Sequence, residues 1–88
     1  MTPLPAILEI RGAEALQREL LQALDRGDHE LEAGAVEQAD TASLQLLLAF
    51  TLDARRRGGA PRLLRPSPAL VAAAHRLGLG AALGTEAP

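Results

Sequence analysis

The sequence has no cysteine, lysine, tryptophan or tyrosine, and it contains one phenylalanine. Without cysteine, the chain can form no disulfide and offers no thiolate for catalysis or for binding zinc or iron. Without more aromatic rings, it has no platform on which single-stranded nucleic acid could stack. The nine cationic residues, all Arg, are outnumbered by eleven Asp and Glu. Because phosphate neutralisation needs an excess of positive charge, we expect no nucleic-acid binding.

Long apolar runs and metal-ligand patterns are also missing. The longest stretch without charge, residues 41–52, is too short to cross a bilayer, and the N-terminus lacks the basic and apolar regions of a signal peptide. His29 and His75 lie far apart in the sequence, with no recognisable carboxylate spacing beside them. We therefore expect a soluble cytoplasmic protein without metal, cofactor or direct membrane insertion. The Ala- and Leu-rich, Lys-free composition suggests a bacterial source.

The chain of 88 residues has enough length for one core, and we expect a single domain over residues 1–88. Apolar residues alternate at period two in residues 6–10 and 28–33, and residues 61–65 are a third strand candidate. Helical spacing follows in residues 13–27, in a Leu-rich segment that begins after Asp40, and in residues 67–77. The small residues 80–88 predict a flexible tail.

This order of elements predicts the fold class. Strands that alternate with helices favour an α/β fold with a small, mostly parallel sheet and right-handed crossovers. The alternate positions Glu9, Glu30 and Glu32 keep one face of the strands polar. A sheet covered on both faces would instead be apolar throughout, so we expect the helices to pack largely on one face.

The segment Asp40-Thr41-Ala42-Ser43-Leu44 follows a short strand and begins a Leu-rich helix. The plain interpretation is a helix N-cap with two supporting polar side chains. In this position, however, the segment resembles the signature loop and second helix of STAS domains. The likeness continues through Gly58, the strand at residues 62–64 and the last helix, and it extends to the earlier elements by their order. The resemblance implies a STAS-like fold and a non-catalytic protein-binding module.

The resemblance also implies candidate site residues. In the anti-sigma factor antagonists of this family, the second residue after the Asp carries a hydroxyl that a partner kinase phosphorylates, and this residue is Ala42 here. A standard phosphoswitch is therefore not expected, and a kinase that acts on the loop would have to modify Thr41 or Ser43. A second branch keeps Asp-Thr followed by small residues. It includes accessory subunits of phospholipid-transport ABC systems and STAS proteins of signalling operons, and it implies that Thr41 supports partner binding.

The helix that follows adds two further candidates. Leu46 and Phe50 are neighbours at i,i+4 and fall opposite Leu44 and Leu48 on the helix. Either a second element of the fold covers this pair, or the pair is exposed and forms a partner or homodimer interface. We predict a partner-binding surface made of Asp40, Thr41, Ser43, Leu46 and Phe50. Arg55, Arg56 and Arg57 are most simply cations at the negative end of the helix dipole.

The functional hypothesis is an adaptor that regulates a protein partner: a signalling kinase, an anti-sigma factor or an ABC-transporter ATPase. The alternative is a small ligand-binding or enzymatic α/β domain, which the sequence disfavours because no Ser/His/Asp arrangement is present. STAS domains commonly have two strands before the first helix. Because two prolines interrupt residues 1–5, we expect the first of these strands to be missing and the sheet to have an exposed edge.

Overall fold

The structure is a computed structural model that describes residues 1–85. Short strands alternate with longer helices along the chain. The strands are β1 (Thr2–Pro3), β2 (Ile7–Leu8), β3 (Glu30–Glu32), β4 (Gln38–Ala39) and β5 (Arg62–Leu64). The helices are α1 (Ala13–Asp25), α2 (Thr41–Arg56), α3 (Pro68–Arg76) and α4 (Gly80–Leu83). A single 3-10 turn, Ile10–Gly12, joins β2 to α1.

All strand pairs are parallel, so the predicted α/β class with parallel strands is confirmed. One sheet has the order β1-β3-β5, and the second pairs β2 with β4. The chain from β1 to β2 therefore runs alongside the chain from β3 to β4. It is the outermost segment on its side of both sheets.

The two faces of the larger sheet differ in polarity. Leu31 in the middle of β3 is fully buried in the core, whereas Glu30 and Glu32 on either side are half-exposed. Glu30 lies directly opposite Arg62 of β5, with 4.0 Å between carboxylate and guanidinium, and Glu32 pairs with Arg65. Opposite charges at facing positions suit a solvated sheet face. This is the polar face that the alternation of Glu30 and Glu32 predicts.

The helices enclose the core on the other face. Leu16, Leu20 and Leu24 of α1 are buried at the predicted helical spacing. Helix α2 packs against α1, and α3 packs against β4. The start of α3 follows the expected chemistry, because the hydroxyl oxygen of Ser67 accepts a hydrogen bond of 3.1 Å from Leu70 N and Pro68 occupies the first turn. Leu77, the last residue of the segment with predicted helical spacing, lies just beyond the helix and is exposed.

The N-terminal segment corrects the expectation of a missing strand. Thr2–Pro3 pairs with Leu31–Glu32, so two short strands precede α1. Proline is compatible with this position because an edge strand leaves every second N–H without a neighbour. The hydroxyl of Thr2 also donates to the Asp28 carboxylate at 2.7 Å and accepts from Arg26 at 3.2 Å. These contacts hold β1 against the start of β3.

Other boundaries also differ from the predictions. The strand expected over residues 6–10 ends at Leu8, and Ile10 is 69% exposed, not buried. Strand β4 was not predicted, because two residues are too few to establish an alternating pattern. Within the tail expected to be flexible, residues 80–83 form α4, and Leu83 is buried in the core. The remainder of that tail, residues 86–88, lies outside the described residues.

Gly59 supplies a test of the packing between α2 and β3. A Cβ atom at residue 59 would overlap the imidazole ring of His29, whereas a Cβ at Gly12 would meet no other atom within 4 Å. We expect Gly59→Ala to lower the free energy of unfolding by about 1–3 kcal/mol, as forced overpacking does. Gly12→Ala, the matched control, should be neutral or stabilising by about 0.5 kcal/mol.

Urea denaturation of the two variants measures both effects. Adding His29→Ala to Gly59→Ala should restore most of the lost stability, because the clash is with the ring alone. If the double variant is no more stable than Gly59→Ala, the ring is not what limits residue 59.

Candidate functional site

The loop before α2 is organised by the carboxylate of Asp40. Its Oδ1 accepts a hydrogen bond of 2.9 Å from the backbone N–H of Ser43, which makes Asp40 the N-cap of α2. Its Oδ2 accepts a second bond of 2.8 Å from the backbone N–H of Ile10. One side chain therefore caps the helix and fastens the end of the β2 segment to it. The predicted start of the second helix within two residues of Thr41 is confirmed.

These bonds decide the protonation state of the carboxyl. The hydrogen bond from Ser43 N, assisted by that from Ile10 N, holds the pKa of Asp40 below its ordinary value of 3.8, against a smaller opposing effect of burial. Both oxygens are engaged with donors and the pKa is low. Asp40 is thus a structural acceptor and is poorly suited to take a proton as a general base.

The hydroxyl residues of the loop are in different environments. Thr41 is exposed at the first position of α2, and Ala42 beside it is half-buried. Ser43 has no exposed surface, and its Oγ lies near the Asp40 carboxylate without a hydrogen bond of good geometry to any group of residues 1–85. The expectation that Ser43 presents its hydroxyl to a partner or a kinase is therefore wrong for this conformation. Thr41 is the accessible hydroxyl of the loop.

The aromatic residue of the predicted partner surface is also inside. Phe50 is 3% exposed and belongs to the hydrophobic core, so its expected exposure is wrong. Leu46, one turn earlier, is only partly buried and packs at the margin of that core. The physical reason is the position of α1, which packs along α2 and covers the side on which Phe50 lies.

A shallow apolar groove follows the contact between α1 and α2. It has a volume of about 90 Å³ and includes Leu46, Ala49 and Leu21 in its lining, with Asp53 at one end. Leu21 is 47% exposed and was not predicted as a site residue. The sequence contains a signal for this exposure. Leu21 directly follows Leu20 and therefore lies to one side of the stripe formed by Leu16, Leu20 and Leu24, so a helix that buries this stripe leaves Leu21 at its exposed margin.

The cationic end of α2 is partly occupied by ion pairs within the fold. Arg57 contacts Asp25 at 3.3 Å and Asp53 at 3.8 Å, which links the ends of α1 and α2. Within residues 1–85, no group of His, Asp and Glu could hold a metal ion, and no helix is long and apolar enough to cross a membrane.

The two hydrogen bonds that Asp40 accepts predict the effect of replacing this residue. Asp40→Ala removes the acceptors of both Ser43 N and Ile10 N, so we expect the melting temperature to fall by about 5 °C, as for a lost N-cap. Asp40→Asn keeps one carbonyl oxygen but replaces the other oxygen with a donor, so its effect should be intermediate. Thermal melts at pH 7 measure both.

The pH dependence of stability gives a separate readout. A carboxyl whose folded pKa lies below its unfolded value stabilises the fold above the unfolded pKa, and this contribution disappears as pH falls through the folded pKa. For Asp28, burial raises the pKa, but bonds from Thr2 and the amino terminus hold it below its ordinary value. We expect the free energy of unfolding of the original chain to decrease below about pH 4, as Asp28 and Asp40 take up protons. In Asp40→Asn the decrease should be less steep, because only Asp28 of the two still titrates. An unchanged slope would show that Asp40 contributes nothing to acid sensitivity.

The two buried residues of the predicted surface should respond in opposite ways. Phe50→Ala should lower the free energy of unfolding by about 3–5 kcal/mol, because it leaves a cavity in the core. Ser43→Ala should change it by less than about 1 kcal/mol or stabilise the fold, since it removes a buried hydroxyl that has no partner. Chemical denaturation decides, and a stable Phe50→Ala variant would contradict the core position.

Comparison with known proteins is consistent with this geometry. A family model described as "Mlab, STAS domain" matches residues 4–85, which covers β2 to β5, the capped loop and the helices α1 to α4. Searches of curated proteins and of solved structures give no significant match. Because the family match covers nearly the whole chain and includes the Asp40 loop at the start of α2, the chain belongs to the STAS domain family.

Proposed function

We propose that the chain is a non-catalytic adaptor that regulates a protein partner through the loop Asp40–Ser43 and the exposed side of α2. The partner classes are a signalling kinase, an anti-sigma factor and an ABC-transporter ATPase. STAS domains generally are regulatory domains that act on protein partners. The buried positions of Ser43 and Phe50 restrict which residues can make contact. We call the remaining surface the docking face: Thr41, Leu46, Ala49 and Leu52 of α2, with Leu21 of α1.

The observation that carries this proposal is the combination of exposure and missing charge on the docking face. Leu21 is 47% and Leu52 is 43% exposed, and Ala49 between them is also exposed. Residues 41–52 contain no charged side chain. Adjacent exposed apolar residues with few charges are typical of the centre of a protein interface. The groove beside Leu46 offers a shallow recess for an apolar side chain of the partner.

The loop favours regulation without phosphorylation of the usual position. Ala42 has no hydroxyl, and the hydroxyl of Ser43 is inaccessible. Thr41 remains at the edge of the docking face with an exposed hydroxyl, which can exchange hydrogen bonds with a polar group of the partner. The partner would therefore respond to the presence of the adaptor, and modification of Thr41 would act by adding negative charge within the contact.

A pair of surface variants tests the docking face. Thr41→Glu and Leu46→Asp should each weaken partner binding by at least about tenfold, because each puts a charge into an apolar contact. Leu77→Asp is the control for an added charge, since Leu77 is exposed and lies at the end of α3, outside the docking face. Thr41→Glu and Leu77→Asp should leave the free energy of unfolding within about 0.5–1 kcal/mol of the original value. Leu46 packs against the core, so Leu46→Asp should be less stable, and its binding is measured only at temperatures where a thermal melt shows it folded.

The binding measurement is isothermal titration against purified proteins encoded beside the gene. The candidate partners are the products of any neighbouring kinase, anti-sigma factor or ABC-transporter gene. Equal binding of Thr41→Glu and Leu46→Asp to a partner that binds the original chain would show that the interface lies elsewhere. If the folded protein binds none of these proteins but is stabilised by a small metabolite, the ligand-binding alternative replaces the adaptor.

A further inference from the structure

The backbone of the N-terminal segment alternates between two directions on both sides of a bend at Ala6. Even-numbered residues bond inward: Leu4 N donates to Glu32 O, Ala6 O accepts from Gln38 N, and Leu8 O accepts from Asp40 N. Ile10 N continues the series by donating to the Asp40 carboxylate. The C=O of Pro3, the N–H and C=O of Ile7 and the N–H of Glu9 therefore point away from the sheets. Pro5 precedes the bend at Ala6, and its C=O accepts no hydrogen bond within residues 1–85. We call the backbone groups of Pro3, Pro5, Ile7 and Glu9 the outer edge.

The outer edge has an unusual set of donors and acceptors. Pro3 and Pro5 have carbonyl oxygens but no N–H. Ile7 presents both an N–H and a C=O, because β4 bonds to the residues on either side of it. Glu9 presents only its N–H, because its carbonyl oxygen already accepts from Gly12 N at 3.0 Å. In the outer edge, Pro5 is therefore an acceptor only, Ile7 is both a donor and an acceptor, and Glu9 is a donor only.

This arrangement is complementary to itself, and we propose that the outer edge pairs with the outer edge of a second copy of the chain. In an antiparallel pair with a two-fold axis at Ile7, the two Ile7 residues exchange N–H···O bonds. Glu9 N–H of each copy faces the Pro5 carbonyl of the other. No donor of residues 5–9 is then left without an acceptor, and the missing N–H of Pro5 faces the one carbonyl that is already bonded.

The charges and the apolar surface beside the N-terminal segment are compatible with this antiparallel dimer. A cleft of about 630 Å³ lies between the N-terminal segment and α1, with Leu4, Leu8 and Leu16 in its lining. Glu9 lies at one end of the cleft and Arg26 at the end near Thr2. An antiparallel two-fold brings the acidic end of one copy toward the basic end of the other. It also brings together the Ile7 side chains, which are 40% exposed.

The register provides a charge-swap experiment. Because residue 7 faces itself across the axis, Ile7→Lys and Ile7→Glu should each raise the dimer dissociation constant at least about tenfold through like-charge repulsion. A 1:1 mixture of the two variants should associate again as a heterodimer. Leu52→Lys, with similar exposure on α2, should dimerise like the original chain. Analytical ultracentrifugation over a concentration series measures all four samples.

Two further measurements keep the test independent of folding defects. Ile7→Pro removes the central outward N–H and leaves every inward bond in place, so it should fold and remain monomeric. In the original chain, the amides of Ile7 and Glu9 should become protected from hydrogen exchange as concentration rises. A monomer at all attainable concentrations overturns the proposal. So does a dimer that Leu52→Lys dissociates and Ile7→Lys does not, or a mixture of the charged variants that fails to associate.

Discussion

The two hydrogen bonds that the Asp40 carboxylate accepts are the constraint on which the arrangement of the site depends. Helix α2 begins where it does because Oδ1 satisfies Ser43 N, and the N-terminal segment ends its extended run where Oδ2 satisfies Ile10 N. The helix and the segment are about thirty residues apart in sequence, and the Asp40 side chain joins them next to the pairing of β2 with β4. Any motion of the loop must therefore be shared between the start of α2 and the outer strand.

The same carboxylate affects how the loop can respond to charge. A free helix N-terminus attracts anions through its unpaired N–H groups and its partial positive charge. Here an internal anion already occupies that position and sits beside Ala42, where the related antagonists carry a hydroxyl. A phosphate added at Thr41 would meet a loop whose own negative charge it repels. The missing hydroxyl at Ala42 and the burial of Ser43 support the proposal of a contact that does not depend on phosphorylation.

Local signals in the sequence predicted what is determined locally. The Asp40 cap, the Ser67-Pro68 start of α3 and the Leu16, Leu20 and Leu24 stripe all appear as expected. Strands of two or three residues could not be predicted with the same accuracy. They are defined by pairing across the sheet, and they are too short to show an alternating pattern of apolar and polar residues. The predicted exposure of Phe50 was wrong for a related reason. The prediction assumed that α2 packs on the sheet alone, whereas α1 covers a second side and widens the buried arc.

The two prolines of the N-terminal segment matter before the fold is complete. During synthesis β1 emerges first, and its neighbour β3 follows only about thirty residues later. In that interval, an ordinary strand could pair with another nascent chain through its free amides. Pro3 and Pro5 leave the outer side of this part of the segment without amide donors, whereas the amide of Leu4, which later bonds to β3, is free during that interval. The prolines that weaken the strand signal in the sequence thus remove donors from one side of the nascent strand and leave the side that β3 covers able to pair.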